Sequence, residues 1–235
     1  CRQQALSVNN TSFIDRERCI HCGKCTQVCP TQALEMKGKR MTVAEVMREL
    51  QKEENLYRRS GGGITLSGGE PLAQPAFARE LLKACKEKGW HTAMETTGFA
   101  TTEVIADVFP YVDLALTDIK AINPAVHQAN TGMDNRQILE NLLRISFMTK
   151  TIVRIPVIPG VNDNMEEIRH IVKFARLMSH VDTLHLLPYH AFGENKYSLL
   201  GRIYPMGDVE SIAGSKMELL KKEVESSGFH CHIGG

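Results

Sequence analysis

Four cysteines within eleven residues, Cys19, Cys22, Cys25 and Cys29, are followed at once by Pro30 in the run CIHCGKCTQVCP. The C-x2-C-x2-C-x3-C-P interval winds three thiolates round one small loop, the spacing that holds a 4Fe-4S cubane. Zinc is the competing metal, but its sites usually separate two cysteine pairs by a dozen or more residues. His21 reads as a loop residue rather than a ligand. Cys1, Gln4, Ala5 and Leu6 repeat the order and spacing of Cys29, Gln32, Ala33 and Leu34, so Cys1 reads as the last cysteine of an earlier copy of the motif. Coincidence over six residues is the alternative. In two-cluster ferredoxins the fourth cysteine of each run serves the other cluster. By that rule Cys1 joins Cys19, Cys22 and Cys25 on one cubane, and Cys29 serves a second whose other cysteines are expected upstream.

A different chemistry is written at residues 60–71, SGGGITLSGGEP. Ile64, Thr65 and Leu66 read as a buried strand that delivers a side-chain-free turn at Gly68 and Gly69, with Glu70 at its exit. Two glycines let a backbone approach a small ligand, and a carboxylate beside them can hold an ammonium group. An ordinary strand-to-helix loop would look the same in isolation. Further strands are expected to end on Glu95 and Thr96, on Asp118 and Lys120, on Arg154, and on Tyr189 and His190. Singly, each has a plain explanation, such as an Asp118–Lys120 ion pair or a core histidine. Five polar strand ends together point to one rim on which chemistry is assembled.

The elements that must position these residues alternate regularly. Thr42 and Glu45 form a capping box before an apolar stripe at Val43, Val46, Met47 and Leu50. Helices are expected from Pro75 to Gly89 with Cys85 in the core, near 103–109, at 135–148, at 165–178, and from a Ser215/Glu218 cap to Gly228. Strands are expected at 91–95, 112–118, 151–158 and 183–188, with a final extended tail at 229–233. Strands separated by helices imply right-handed crossovers and a parallel sheet, open or closed into a partial barrel. The fold class is α/β, with an N-terminal iron-sulfur module at 1–38 and a βα domain at 39–235.

Composition bounds the rest. The 235 residues are 43% hydrophobic and 23% charged, enough to bury a sizeable core, and a net charge of +1 supplies no attraction for nucleic acid or an anionic membrane. The best apolar run, 152–161, is broken by Arg154, Pro156 and Pro159, so no bilayer-spanning helix is expected. The seven cysteines are odd in number and crowded, unlike a disulfide framework. The chain opens on Cys1 rather than methionine, which suggests processing or a fragment.

With these residues in place, the sequence resembles the activating enzymes of glycyl radical enzymes, radical S-adenosylmethionine (SAM) proteins of the ferredoxin-insert, pyruvate formate-lyase activating enzyme-like type. SGGGITLSGGEP, METTG at 94–98, TDIK at 117–120, RIPVIPG at 154–160 and LLPYH at 186–190 carry the resemblance across essentially the whole chain. It implies a partial (βα)6 TIM-like barrel whose first strand is missing here, and it implies roles. Gly68, Gly69 and Glu70 would take the methionyl amine of SAM and Lys120 its carboxylate. Asp118, Glu95 and Thr96 would line an adjacent polar or monovalent-cation site, and Arg154 and His190 would reach the ribose and adenine. The implied cofactors are 4Fe-4S clusters and SAM, and the implied partners a glycyl radical enzyme as protein substrate and flavodoxin or ferredoxin as electron donor, in an anaerobic cytoplasm.

The resemblance is incomplete in one respect. The C-x3-C-x2-C loop whose three thiolates leave one iron open to SAM has no counterpart in these residues, and Cys19, Cys22, Cys25 and Cys29 have the wrong intervals for it. That loop is expected upstream. Two other readings stand beside the activase: an iron-sulfur carrier or docking module with a non-catalytic barrel, and a radical SAM enzyme acting on a small molecule.

Overall fold

Burial with a period of two residues recurs along the apolar runs and makes them strands with one face against helices. The computed structural model describes residues 1–8 and 13–234. In chain order the elements are α1 (Lys24–Gln27), α2 (Val43–Leu50), α3 (Glu54–Ser60), β1 (Gly63–Leu66), α4 (Pro75–Glu87), β2 (His91–Thr96), α5 (Thr102–Val108) and β3 (Leu114–Asp118). There follow α6 (Pro124–Thr131), α7 (Arg136–Met148), β4 (Lys150–Val157), α8 (Met165–Ala175), β5 (Thr183–Pro188), α9 (Glu194–Leu199), α10 (Gly214–Ser226) and β6 (His230–Ile233). The six strands form one parallel sheet in the order β1 to β6 that does not close into a full barrel. The C-terminal tail, expected only to be extended, is its sixth strand.

The chain divides into two compact units, Cys1–Met41 with His190–Val209, and Thr42–Tyr189 with Glu210–Gly235. The larger holds the sheet. One face of that sheet carries Met94, Ala115, Val153, Ile155, Val157, Leu184, Leu186 and Cys231, packed with Leu81, Leu82, Ile105, Leu142, Ile145, Ile168, Ile171, Leu220 and Val224 from the helices. Each such side chain withdrawn from water contributes about 1.5–3 kcal/mol before entropy is charged against it. Cys85 and Cys231 belong to this core, and burial pushes both thiols up to about 11, so neither is a thiolate at neutral pH.

Local chemistry sets where the elements begin. Thr42 and Glu45 form the expected capping box on α2, and Asn164 caps α8 by accepting from the Glu167 amide. Gly63 is glycine for a packing reason: a Cβ there would lie 1.8 Å from the His91 carbonyl oxygen on β2, so β1 can approach β2 only without a side chain. Helix α10 departs from expectation. It starts at Gly214 without a side-chain cap, and Ser215 lies inside its first turn. Among the described residues no helix is long and apolar enough to cross a membrane.

The smaller unit is built mainly from turns. Leu6 and Ile14 form an antiparallel bridge, the Asp15 carboxylate accepts from the Glu17 and Arg18 amides, and Arg16 Nη2 donates to the Leu199 carbonyl at 3.1 Å. The segment His190–Val209 is thereby a second part of this unit, which the sequence partition had not included.

Candidate functional site

The face of the sheet opposite the core carries a row of ionisable side chains placed side by side by strand register: Asp118 on β3, Arg154 on β4, His185 on β5 and His232 on β6. Arg154 does not stand at a strand end, as the sequence suggested. It is the fifth of eight residues in β4, and the greater length of that strand sets it level with the last residue of β3. Its guanidinium donates from Nε to Asp118 Oδ1 at 3.0 Å and from Nη1 to Glu95 Oε1 at 2.8 Å. Glu95 Oε2 accepts from the Ser67 hydroxyl at 2.6 Å, and Lys120 Nζ lies 3.5 Å from Asp118 Oδ2.

The electrostatics follow from these contacts. The Ser67 hydroxyl holds the Glu95 carboxyl below the usual carboxylate range; burial opposes this and Arg154 reinforces it. Burial alone would lower the Arg154 pKa, but Asp118 and then Glu95 raise it above its ordinary value. His185 is pushed below the ordinary imidazole value by burial, then by the His232 ring, 5.4 Å away centroid to centroid, and by Arg154. It is therefore neutral at pH 7.

The Ser67–Glu70 turn is tied to the end of β2 by a second set of bonds. Glu70 Oε1 accepts from the Leu72 amide at 3.1 Å and the Thr96 hydroxyl at 2.7 Å, while Oε2 accepts from the Thr97 amide and hydroxyl at 2.9 and 2.8 Å. The carboxylate expected to meet a ligand amine already holds the turn in shape. Gly68 has φ of +123°, which a side chain disfavours. Gly69 is different: its φ is not positive, and an added Cβ would meet no protein atom within 4 Å. Nothing in the chain's own packing crowds that position, which stays open to an outside group.

Three buried asparagines hold the loops that carry these residues. Asn141 Nδ2 donates to the carbonyls of Gly98 and Ala100 after β2, and Asn135 Nδ2 to those of Ala121 and Ile122 after β3. Asn162 Nδ2 donates to Lys120 and Pro156 carbonyls while its Oδ1 accepts from the Ile158 amide, joining the exits of β3 and β4. The sequence reading missed all three, along with Ser67, Thr97, His185 and His232. An asparagine inside a helix or loop carries no local mark of burial; the even spacing of His185 from Arg154's neighbours needs the register before it means anything.

Of the residues singled out from sequence, Glu95, Asp118, Lys120 and Arg154 are linked in the first set of bonds, Glu70 and Thr96 in the second, and Gly68 and Gly69 are in the turn that carries Glu70. His190 lies in the other unit, exposed, with its ring 4.1 Å from that of Phe192.

In the smaller unit Cys1, Cys19, Cys22, Cys25 and Cys29 are all free thiols near or at the surface. Among the described residues no three His, Cys, Asp or Glu side chains converge as ligands of a single metal ion. A cubane binds each thiolate at a different iron, which is a wider spacing, and the donor set of soft, unpaired thiols in one loop fits it. The repeat is real in the backbone as well as in the letters. Gln4 and Gln32 both have positive φ, 50° and 54°, and each donates its amide to the carbonyl of the cysteine three residues earlier, at 3.1 and 3.2 Å. The Leu34 amide, and then the Thr31 hydroxyl, hold the Cys29 thiol below its ordinary pKa, which favours the thiolate a metal needs.

Comparison with known proteins agrees with this arrangement. The family model described as "Radical SAM superfamily" matches residues 16–175. An isethionate sulfite-lyase activating enzyme of Oleidesulfovibrio alaskensis is 45% identical over 86% of this chain and 66% of its own length. A (2S)-3-sulfopropanediol dehydratase activating enzyme of Klebsiella oxytoca is 38% identical over 94% of this chain and 72% of its own. The chain thus spans about two thirds of the length of these relatives. Among solved structures, a domain of pyruvate-formate lyase-activating enzyme from Bacteroides vulgatus superposes with a TM-score of 0.62 at 31% identity, covering 74% of this chain and 99% of that one.

Proposed function

Because the chain belongs to the radical SAM superfamily and, within it, to the activating enzymes of glycyl radical enzymes, we propose that it activates a glycyl radical enzyme by reductive cleavage of SAM. When bound, a reduced 4Fe-4S cluster supplies the electron that cleaves SAM to methionine and a 5'-deoxyadenosyl radical, which takes hydrogen from a partner glycine. What these residues contribute is binding, orientation and charge.

The observation that carries the reading is the rim network. Two carboxylates, Glu95 and Asp118, face two cations, Arg154 and Lys120, and the Glu70 carboxylate of the neighbouring turn, bonded to amides and hydroxyls, leaves one negative charge. SAM, with an ammonium, a carboxylate and a sulfonium, carries one net positive charge. A zwitterion with an added cation calls for this composition, whereas a plain electron carrier has no use for it. Lys120 binds the methionyl carboxylate. The backbone of Gly68 and Gly69 receives the amine, while Glu70 shapes that turn and supplies negative charge beside it. The thiolates of Cys1, Cys19, Cys22, Cys25 and Cys29 hold auxiliary clusters that pass electrons from flavodoxin or ferredoxin or dock a partner.

The partner is a glycyl radical enzyme of the isethionate sulfite-lyase or sulfopropanediol dehydratase kind rather than pyruvate formate-lyase, since activating enzymes of the former kinds are 38–45% identical to this chain. The family resemblance also implies a monovalent cation beside the SAM carboxylate. The test is anaerobic incubation of the full-length protein with SAM, reductant and such a partner. The expected result is 5'-deoxyadenosine together with a glycyl radical signal in electron paramagnetic resonance. Deoxyadenosine without that radical would indicate a small-molecule substrate, and neither product would leave the electron-carrier reading.

A further inference from the structure

We propose that Arg154 is the resident counter-ion of the Glu95–Asp118 pair, and that the site therefore takes no monovalent metal cation. Two carboxylates facing one point repel unless a cation stands between them. Here a guanidinium does, bonded to Glu95 Oε1 and Asp118 Oδ1. The remaining two carboxylate oxygens are also engaged, Glu95 Oε2 by Ser67 and Asp118 Oδ2 by Lys120. A hard cation needs several oxygen ligands converging on it, and where the two carboxylates of this pair converge the guanidinium already stands.

Register makes the arrangement hard to displace. Asp118 and Arg154 are direct partners across β3 and β4. The sheet thus delivers the guanidinium as a cross-strand neighbour, held by the backbone at an effective concentration far above that of any cellular alkali ion. The fork of the guanidinium reaches two carboxylates in different directions, which an ammonium would do less well. Charge argues the same way. Glu95 and Asp118 are balanced by Arg154 and Lys120, so an added alkali ion would cancel the one negative charge, that of Glu70, left to face cationic SAM.

Circular-dichroism melting of the full-length, anaerobically reconstituted protein tests this in choline chloride, sodium chloride and potassium chloride at one ionic strength. Equal midpoints are expected for the wild type. Arg154→Gln is expected to melt lower in choline and to recover by roughly 2–4 °C or more as potassium or sodium saturates the exposed carboxylates. Arg154→Lys keeps the charge and should stay indifferent to the alkali ions. A potassium- or sodium-specific rise in the wild-type midpoint would overturn the proposal, as would a folded Arg154→Gln protein that ignores them. If that variant does not fold, the wild-type comparison still decides.

A second readout, SAM affinity by calorimetry in the same three salts, rests on the SAM-binding reading given above. Affinity independent of the cation is expected, and a potassium or sodium requirement would overturn the proposal. Absence of SAM binding in every salt would count against the functional reading alone, because melting judges the counter-ion without SAM.

Discussion

Glu70 and Lys120 stand at comparable places on the rim, yet their contacts give them different jobs. The Glu70 carboxylate accepts four hydrogen bonds from its own chain, whereas Lys120 makes one long ion pair with Asp118. Glu70→Gln turns an amide NH2 towards donors and is expected to cost about 1–3 kcal/mol of stability, read from urea unfolding. Lys120→Ala should leave unfolding nearly unchanged and weaken SAM binding by roughly 1–3 kcal/mol, about ten- to a hundredfold in Kd. Equal effects of the two variants on both measurements would contradict this division. His185 adds a pH dependence. Its folded pKa is depressed, so the unfolded chain binds its proton first as the solution is acidified. The associated stability is complete above the unfolded value near 6.5 and is lost as pH falls through the lower, folded value. The wild-type unfolding midpoint is expected to drop more than that of His185→Gln between about pH 7.5 and 5.5.

Buried amides hold the loops that follow β2, β3 and β4, next to the strand residues of the site. Asn162 is fully buried and bonds the Lys120 and Pro156 carbonyls and the Ile158 amide at once. Asn162→Ala would leave these three groups without their partner, for an expected loss of about 2–4 kcal/mol in denaturant unfolding. Because the amide also holds the backbone of Lys120, SAM affinity should fall with stability; a variant that loses stability and keeps full affinity would show that Lys120 is placed by other means. The Thr42/Glu45 capping box, the apolar stripes and the strand periods were readable residue by residue, whereas the Ser215/Glu218 cap did not form. The short helices α3, α6 and α9 were not anticipated, since none carries an apolar stripe long enough to stand out from a loop.

Across the molecule the cysteines make a separable test. The shared backbone turn after Cys1 and Cys29 supports the two as equivalent fourth ligands of different cubanes. Anaerobic reconstitution of these 235 residues is expected to load close to one 4Fe-4S cluster. Cys1→Ser should cut iron content markedly and Cys29→Ser should barely change it. A self-contained site made of Cys19, Cys22, Cys25 and Cys29 would respond in the opposite way, and iron analysis of the two variants separates the cases.

Intervals along the chain made legible the cysteine spacing, the alternation of helices and strands, and the polar residues of the rim, because ligand loops and periods are local properties that a short window contains. The glycine turn and its carboxylate were visible for the same reason. The partner of Arg154 was not. Its bonds to Asp118 and Glu95 depend on how far β4 is shifted against β3, and a shift of one residue would send the guanidinium to the core face. The asparagine tethers and the grouping of His190–Val209 with the N-terminal module are likewise contacts between distant parts of the chain. Such contacts exist only once the strands are in register and the loops closed, so sequence placed the charged residues on the rim and folding alone chose which of them neutralise one another.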